Sequence, residues 1–287
     1  MSQVFDDTGP LEPHVVSRLG LFARSVGAAD SDALEGELEI RPDLTSGGGV
    51  PLLGAVGSFA DTIGGVVAAI STWPTAIATA DIGVMLDPRA RPARIVTRPR
   101  VVRGGRTNVV TEMILADGDT GATVGYSTMT SAVLSAKIPQ QHDPRVVTQM
   151  FRAAYEPSAA RFYDELGLVA GAGIGDDGAP GARLELRRWL GNSMGMLHGG
   201  CTVMVTDAAS LAAATAVLGS DRPLATVDTH VRYLNGARIG PVIATAMVLG
   251  RDDSSVSVQV TQRDAGWGDA GSGRVTAIST ARVLAVG

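Results

Sequence analysis

Two long apolar segments stand out along this chain, at residues 51–70 and 201–218. Both consist mainly of small or apolar residues, and both are too long for a typical strand. We therefore predict two helices that are buried over most of their surface. The first contains Asp61 and several glycines, and a charged residue is costly in the middle of a bilayer. The pattern thus favours a core helix over a membrane span.

Shorter runs rich in Val, Ile and Thr follow each predicted helix, separated by turn signals such as Asp117-Gly118 and Asn235-Gly236. Such runs predict β-strands. In each half, a short helix and one strand also come before the long helix. The predicted short helices cover residues 15–23 and 157–168. The predicted strands cover residues 33–41, 75–86, 93–102, 109–116 and 121–134 in the first half, and 182–189, 225–234, 241–250, 254–263 and 273–286 in the second.

The two halves of the chain repeat each other. Matching blocks recur at an offset of 146 or 147: residues 37–41 with 183–187, Gly54 with Gly200, Asp61 with Asp207, residues 78–81 with 225–228, and residues 19–21 with 166–168. A nearly constant offset across several blocks indicates an internal duplication. We predict an N-terminal domain at residues 1–138, a connector at 139–160 and a C-terminal domain at 161–287.

The second half carries a motif of candidate catalytic residues: Asn192, then His198-Gly199-Gly200, then Asp207 inside the apolar helix. Because the two glycines form the predicted first turn, they offer unpaired N–H groups at the positive end of the helix dipole. Such groups can hold a developing oxyanion. A carboxylate can act as base or nucleophile, and a primary amide can orient water. This set of groups suits acyl transfer to water.

This motif resembles a known family. The pattern Asn-x5-His-Gly-Gly-x6-Asp, followed by residues 225–228 (ATVD) and 231–234 (VRYL), is similar to the hot-dog acyl-CoA thioesterases of the phenylacetate-catabolism (PaaI-like) type. The resemblance covers about residues 160–287. It implies hydrolysis of an acyl-CoA, or a related acyl thioester, to a free acid and a thiol.

The resemblance also implies an α+β fold, in which an antiparallel sheet wraps a central helix. Hot-dog units usually pair so that their sheets become continuous and their central helices face each other. Because the chain holds two copies, we predict a double hot-dog, that is, a pseudo-dimer within one chain. Association of these pseudo-dimers into a homo-oligomer stays open.

The two copies differ where the chemistry would lie. The first copy has Ser46 in place of the motif's asparagine, Leu52 in place of its histidine, and Leu53 in place of its first glycine. It keeps Gly54 and Asp61. The first copy therefore lacks the amide and the imidazole but retains the carboxylate.

In the family that this chain resembles, the site spans the interface between two copies. Eight residues of helix rise about 12 Å, so Gly199 and Asp207 cannot both reach one carbonyl. We therefore predict two composite sites, each built from residues of both copies. The first is expected to work and the second to be impaired, which leaves one reaction centre per chain. The first composite site combines Asn192, His198, Gly199 and Gly200 with Asp61 and Thr79; the second combines Asp207 and Thr226 with Ser46, Leu52 and Leu53.

Each residue of the first composite site has an expected role. The Gly199 N–H, helped by that of Gly200, polarises the thioester carbonyl, while Asp61 serves as general base or as nucleophile. Asn192 positions water or the carbonyl. Two residues support them: Thr79 hydrogen-bonds the carboxylate or the water, and His198 braces the loop.

Structural explanations compete with these roles. An Asx turn or a cap would account for Asn192 and His198, and close helix packing would account for Gly199-Gly200. The threonines are ordinary strand residues, so their role rests on the resemblance. A carboxylate buried in an apolar helix is harder to explain without a function or a partner.

The composition limits which classes of partner, compartment and cofactor we expect. The net charge of −5 and the aromatic content of 4% give no reason to expect nucleic acid. The single cysteine, Cys201, suits a reducing compartment, and the N-terminal residues do not look like a signal peptide, so we expect a cytoplasmic protein. No metal-ligand spacing is present. The only expected cofactor chemistry is that of coenzyme A, as part of the substrate.

Two questions stay open. Seven arginines between residues 89 and 106 either form a solvated face or bind the phosphates of coenzyme A. The alternative function is that of a non-catalytic acyl-CoA or lipid-binding protein, which kept the fold and lost catalysis. A hot-dog hydratase is disfavoured because its Asp-x-x-His motif is not seen.

Overall fold

Two helices of 20 residues, α2 (Leu53–Thr72) and α5 (Gly199–Leu218), form the buried centre of the molecule. The computed structural model describes residues 13–25, 34–138, 143–147, 160–267 and 273–286. Three short helices complete the described helical part: α1 (Val15–Leu19), α3 (Pro144–Val147) and α4 (Phe162–Glu165). The strands are β1 (Leu21–Ser25), β2 (Leu34–Glu39), β3 (Thr75–Leu86), β4 (Arg94–Thr97), β5 (Arg100–Gly104), β6 (Asn108–Asp117), β7 (Thr123–Lys137), β8 (Leu168–Gly171), β9 (Gly181–Leu184), β10 (Leu224–Tyr233), β11 (Val242–Arg251), β12 (Ser255–Asp264) and β13 (Arg274–Ala285).

The described strands form one antiparallel sheet. Its order is β1-β2-β4-β6-β7-β3-β10-β13-β12-β11-β9-β8, with β5 paired to β6. The two copies join where β3 pairs with β10, with Asp81 opposite Arg232 and Met85 opposite Asp228. Each copy therefore contributes half of a continuous sheet around its own central helix. The predicted α+β double hot-dog fold is confirmed.

The two central helices pack against each other in antiparallel directions through small residues. Gly54 faces Met204, Gly57 faces Val203, and Ser58 faces Gly200. The residue numbers on α5 thus fall as those on α2 rise, as antiparallel packing requires. A Cβ at Gly200 would stand only 2.6 Å from the Ser58 Cα. Glycine is therefore required for this close approach. The packing brings the start of each helix to the middle of the other.

Both central helices are long and apolar enough to cross a membrane by length and composition alone. However, 83% of the apolar window of α2 and 67% of that of α5 is buried inside the fold. Their apolar surface is covered by the sheet and by the other helix, which accounts for their composition. One buried cluster includes side chains from both copies, among them Phe59, Ile63, Met113 and Val205.

The predicted helix at residues 15–23 is wrong in its second half. Helix α1 ends at Leu19, where Gly20 adopts the left-handed conformation (φ 73°), and the next residues form the edge strand β1. The second copy repeats this arrangement, since α4 is followed by Gly167 (φ 70°) and β8. A Leu-Gly-Leu sequence marks both turns, because glycine reaches this conformation without strain.

Two predicted strands also differ from the structure. The run at residues 93–102 is divided into β4 and β5, because Pro99 has no N–H to donate to a neighbouring strand. The run at 182–189 ends at Leu184, and a 3₁₀ turn forms at Arg188–Leu190. Most of the predicted connector, at residues 139–142 and 148–159, lies outside the described residues, so the domain boundaries stay predictions.

Candidate active site

The first composite site is built around the start of α5. His198 is the N-cap residue, and its Nδ1 accepts a hydrogen bond from the Gly200 N–H at 3.1 Å. The neutral ring therefore carries its proton on Nε2. Burial lowers the pKa of His198, although the charge of Asp61 opposes this shift. This geometry agrees with the expected role of His198, which is to hold the loop before α5 in place.

The Gly199 N–H has no hydrogen-bond partner within the described part of the chain. As the first residue of α5, Gly199 cannot donate to a carbonyl of its own helix. The Tyr233 hydroxyl donates to the Gly199 carbonyl at 2.8 Å and so holds this residue from the other side. The start of α5 thus presents one unpaired donor at the positive end of a long helix.

Asp61 of α2 lies directly against Gly199. A Cβ at Gly199 would stand 2.7 Å from Asp61 Oδ2 and 3.0 Å from its Cγ, so no larger residue fits there without movement. The Thr79 hydroxyl donates to Asp61 Oδ1 at 2.7 Å. Asp61 Oδ2 lies 3.6 Å from His198 Nδ1, and no hydrogen bond to it is found among the described residues. The structure therefore brings Asp61, Thr79, His198 and Gly199 together across the two copies.

Asn192 lies in the loop that precedes α5. Its Oδ1 accepts hydrogen bonds from the backbone N–H groups of Met194, at 2.9 Å, and Met196, at 3.2 Å. The amide oxygen is thus used to hold the loop, which is the structural role that competes with catalysis. The structure places Asn192 near the start of α5 but gives no contact between its side chain and Asp61.

Two further residues of this site were not assigned a role from the sequence. Tyr233 is partly buried, and the loss of solvation around its hydroxyl raises its pKa well above the usual value, with the charge of Asp61 adding to the shift, so the phenol stays a donor. His14 is partly buried: its Nε2 lies 2.7 Å from the Gly191 carbonyl oxygen, and its ring lies 5.8 Å from that of His198. Tyr233 lies within the quoted motif block, whereas no local pattern indicated His14.

The second composite site is arranged differently. Asp207 is 1% exposed, and its Oδ2 accepts hydrogen bonds from the Gly54 N–H at 3.0 Å and from the Tyr163 hydroxyl at 2.5 Å. Leu52 is the N-cap residue of α2 and cannot accept a hydrogen bond with its side chain. The Gly54 N–H, freed from a local cap, therefore donates across the interface to Asp207. This carboxylate acts as the cap that His198 provides in the other copy.

Burial raises the pKa of Asp207, and the groups around it only partly oppose this shift: the Thr226 hydroxyl, the Tyr163 hydroxyl and the Gly54 N–H. Thr226 lies near the carboxyl but outside ordinary hydrogen-bond geometry, since its Oγ1 is a buried atom without a hydrogen-bond partner. Asp61 and Asp207 are thus equivalent in the repeat but not in their surroundings. Asp207 accepts two hydrogen bonds on Oδ2, from Gly54 and Tyr163, whereas Asp61 accepts one on Oδ1, from Thr79, and its Oδ2 lies against Gly199.

Cys201, the second residue after Gly199, is buried. Burial raises the pKa of its thiol far above the usual value, and the charge of Asp61 adds to this. A thiol that stays protonated is a poor nucleophile. Cys201 therefore fills space in the core.

Known proteins share both the fold and part of the sequence pattern. Residues 194–266 match the sequence model of the family described as the thioesterase superfamily. No curated protein sequence matches the chain significantly. The chain is thus a double hot-dog protein whose second copy carries the thioesterase superfamily pattern. The PaaI-like subtype stays a prediction.

Among solved structures, an acyl-CoA thioesterase II, TesB2, from Mycobacterium marinum is 12% identical, with a TM-score of 0.60 over 94% of this chain and 97% of that one. A hot-dog protein of unknown function from Alicyclobacillus acidocaldarius is 11% identical, with a TM-score of 0.59 over 95% and 98%. The 12:0-ACP thioesterase from Umbellularia californica is 9% identical, with a TM-score of 0.56 over 88% and 94%. At these identities the likeness concerns the fold of the whole chain.

Proposed function

We propose that this protein hydrolyses an acyl thioester, with coenzyme A as the carrier, to a free acid and a thiol. The observation that carries this proposal is the position of Asp61 against Gly199, whose N–H is unpaired. A thioester bound there would have a donor at its carbonyl oxygen and a carboxylate beside its carbonyl carbon. The superfamily match over residues 194–266 supports a thioester as the substrate.

The Gly199 N–H donates to the carbonyl oxygen and stabilises the negative charge that develops on it. In one route, Asp61 takes a proton from water while the water oxygen attacks the carbonyl carbon. In the other, Asp61 itself attacks, the thiolate leaves, and water hydrolyses the resulting anhydride. In both routes the carbon–sulfur bond breaks and the thiolate gains a proton.

Hydroxylamine distinguishes the two routes. If an anhydride forms, hydroxylamine added during turnover converts Asp61 to its hydroxamate, which peptide mass spectrometry detects. If Asp61 acts as a general base, Asp61 stays unmodified and only the acyl product appears as a hydroxamate or a free acid. The Asp61→Asn variant is the control for background modification.

The activity itself is tested by thiol release from a panel of acyl-CoA thioesters that differ in chain length and in aromatic character. We expect turnover of at least one member, and its loss in Asp61→Asn. Tight binding of an acyl-CoA by the wild type without any thiol release would instead indicate the non-catalytic binding protein. Parallel assays with the same acyl group on N-acetylcysteamine and on acyl-carrier protein measure how much the carrier contributes to KM and kcat.

Two arginines remain candidates for the phosphates of coenzyme A. Within the described residues, Arg89, Arg94, Arg98 and Arg100 pair with carboxylates, and Arg91 donates to the carbonyls of Pro88 and Ala90. Arg103 and Arg106 are exposed and have neither kind of partner there. We expect Arg103→Ala/Arg106→Ala to raise KM for acyl-CoA and to leave KM for acyl-N-acetylcysteamine unchanged. Arg98→Ala is the matched control. Equal effects on both substrates would exclude phosphate binding by this pair.

A further inference from the structure

A cleft of about 1030 Å³ lies beside the second composite site. Its walls include Leu211 and Ala212 of α5, Ser46 and Leu52 from the loop before α2, and Tyr163 of α4. This volume is at the upper end of the usual range for small-molecule pockets. The second composite site, which lacks the amide and the imidazole, therefore keeps a large space close to its carboxylate.

Tyr163 separates this cleft from the reactive groups behind it. Tyr163 lines the cleft, whereas Asp207, Gly54 and Thr226 do not. The phenol oxygen hydrogen-bonds Asp207, and it occupies the place where a Cβ at Gly54 would stand. The phenol group thus fills the space between the cleft and the Asp207 carboxylate, beside the start of α2.

The duplicated chain offers an internal comparison. The residue equivalent to Tyr163, at an offset of 147, is Val16. A valine has no hydroxyl and is several atoms shorter, so it cannot make either of these contacts. The phenol is therefore a feature of the second copy alone.

Unpaired polar atoms at the second composite site are a separate sign of a lost ligand. Asp207 Oδ1, Thr226 Oγ1 and Ser46 Oγ are all buried, and none has a hydrogen-bond partner among the residues that the structure describes. Burying such atoms without a partner is costly, and most proteins avoid it. Asp207 contacts Tyr163, Thr226 lies near Asp207, and Ser46 lines the same cleft as Tyr163. These unpaired atoms therefore mark a polar region that a ligand could satisfy but that Tyr163 separates from the cleft.

We propose that Tyr163 closes the second composite site to acyl thioesters, because its phenol ring and hydroxyl together fill the space between the cleft and the Asp207 carboxylate. Tyr163 is therefore the residue that restricts the chain to one thioester per molecule. Once the phenol is removed, the cleft extends to the start of α2 and accepts a second thioester. This inference rests on the proposed function, since it assumes that the first composite site binds the same ligand.

The test is the binding stoichiometry of a 2-oxoalkyl-CoA, a ketone in which a methylene separates the sulfur from the carbonyl, measured by calorimetry. The alkyl chain is that of the acyl-CoA turned over fastest in the panel. We expect one molecule per wild-type chain and two per Tyr163→Val chain. Tyr163→Phe keeps the ring in place and should stay at one. Tyr163→Ala replaces the valine variant if that variant does not fold.

A second substitution assigns the extra molecule to the cleft. Ala212→Trp, added to Tyr163→Val, fills the cleft and should return the stoichiometry to one. Two molecules per wild-type chain, or one per folded Tyr163→Val and Tyr163→Ala chain, would overturn the role of Tyr163. A second molecule that persists with Ala212→Trp would overturn the assignment to the cleft. A wild-type stoichiometry of zero would reject the proposed function, and with it this inference.

Discussion

The Asp61 carboxylate lies over the Cα of Gly199, although the two residues belong to different copies of the repeat. The gap is so small that a methyl group at Gly199 would stand 2.7 Å from Asp61 Oδ2. Because glycine leaves this space open, a substrate carbonyl can approach both the unpaired N–H and the carboxylate. This contact defines the first composite site.

Gly199→Ala should lower kcat by at least tenfold, because the new methyl group displaces the Asp61 carboxylate or blocks the carbonyl. Gly65→Ala is the matched control, since nothing lies within 4 Å of a Cβ placed there. That variant should keep its activity and gain about 0.5–1 kcal/mol of stability, as expected for alanine in a helix interior. Equal activity of both variants in the thiol-release assay would argue against the site.

Asp61→Asn should reduce turnover by a hundredfold or more, because the amide can neither take a proton nor attack a carbonyl. Asp207→Asn should keep most of the turnover but lose about 1–3 kcal/mol of unfolding free energy, since it disturbs the hydrogen bonds from Gly54 and Tyr163. Steady-state assays and urea denaturation measure the two effects. The reverse ranking of activities would reject the assignment of the working site.

The two equivalent threonines should respond differently to removal of the hydroxyl. Thr79→Val loses the hydrogen bond to Asp61, and we expect kcat to fall about tenfold, corresponding to about 1.4 kcal/mol. Thr226→Val replaces a buried hydroxyl that has no partner. It should leave kcat unchanged and either preserve or raise the melting temperature. A larger loss of activity in Thr226→Val than in Thr79→Val would contradict this.

Tyr233→Phe removes the hydrogen bond to the Gly199 carbonyl and so loosens the start of α5. We expect kcat to fall several-fold with little change in KM, because the donor to the developing oxyanion is less well positioned. The exposed Tyr126 supplies the control, as Tyr126→Phe should change neither constant. A Tyr233→Phe variant that loses only thermal stability would show a purely structural role.

Stability should fall as the pH is lowered below about 6.5, the ordinary pKa of histidine. Burial lowers the folded-state pKa of both His198 and His14, so the unfolded chain binds these protons first. Stability therefore rises with pH between the folded-state values and 6.5. His198→Asn keeps a side chain that can cap α5 and should weaken this dependence in urea titrations at pH 5.5 and 7.5. An unchanged dependence would show that other groups dominate it.

Much of the fold was predictable because its signals are local or periodic. The lengths of the two apolar segments predicted α2 and α5. The constant offset between the copies predicted the duplication, and the resemblance to hot-dog proteins implied that the two sheets would be continuous. The predictions failed at the ends of helices and strands. Gly20 ends a run of residues that favours a helix, and Pro99 interrupts a run that favours a strand. The Leu-Gly-Leu repeat held enough information for β1 and β8 but was not interpreted as a strand signal.

The sequence by itself determined that two unequal copies exist and that the motif-bearing helix start needs a carboxylate from elsewhere, because eight residues of helix separate Gly199 from Asp207. Only the tertiary structure decided how each carboxylate is engaged. Tyr163, 44 positions from Asp207 in the chain, donates to that acid, whereas Asp61 accepts from Thr79 and lies against Gly199. These contacts depend on how the helices and strands of both copies pack, and no spacing along the chain encodes such distances.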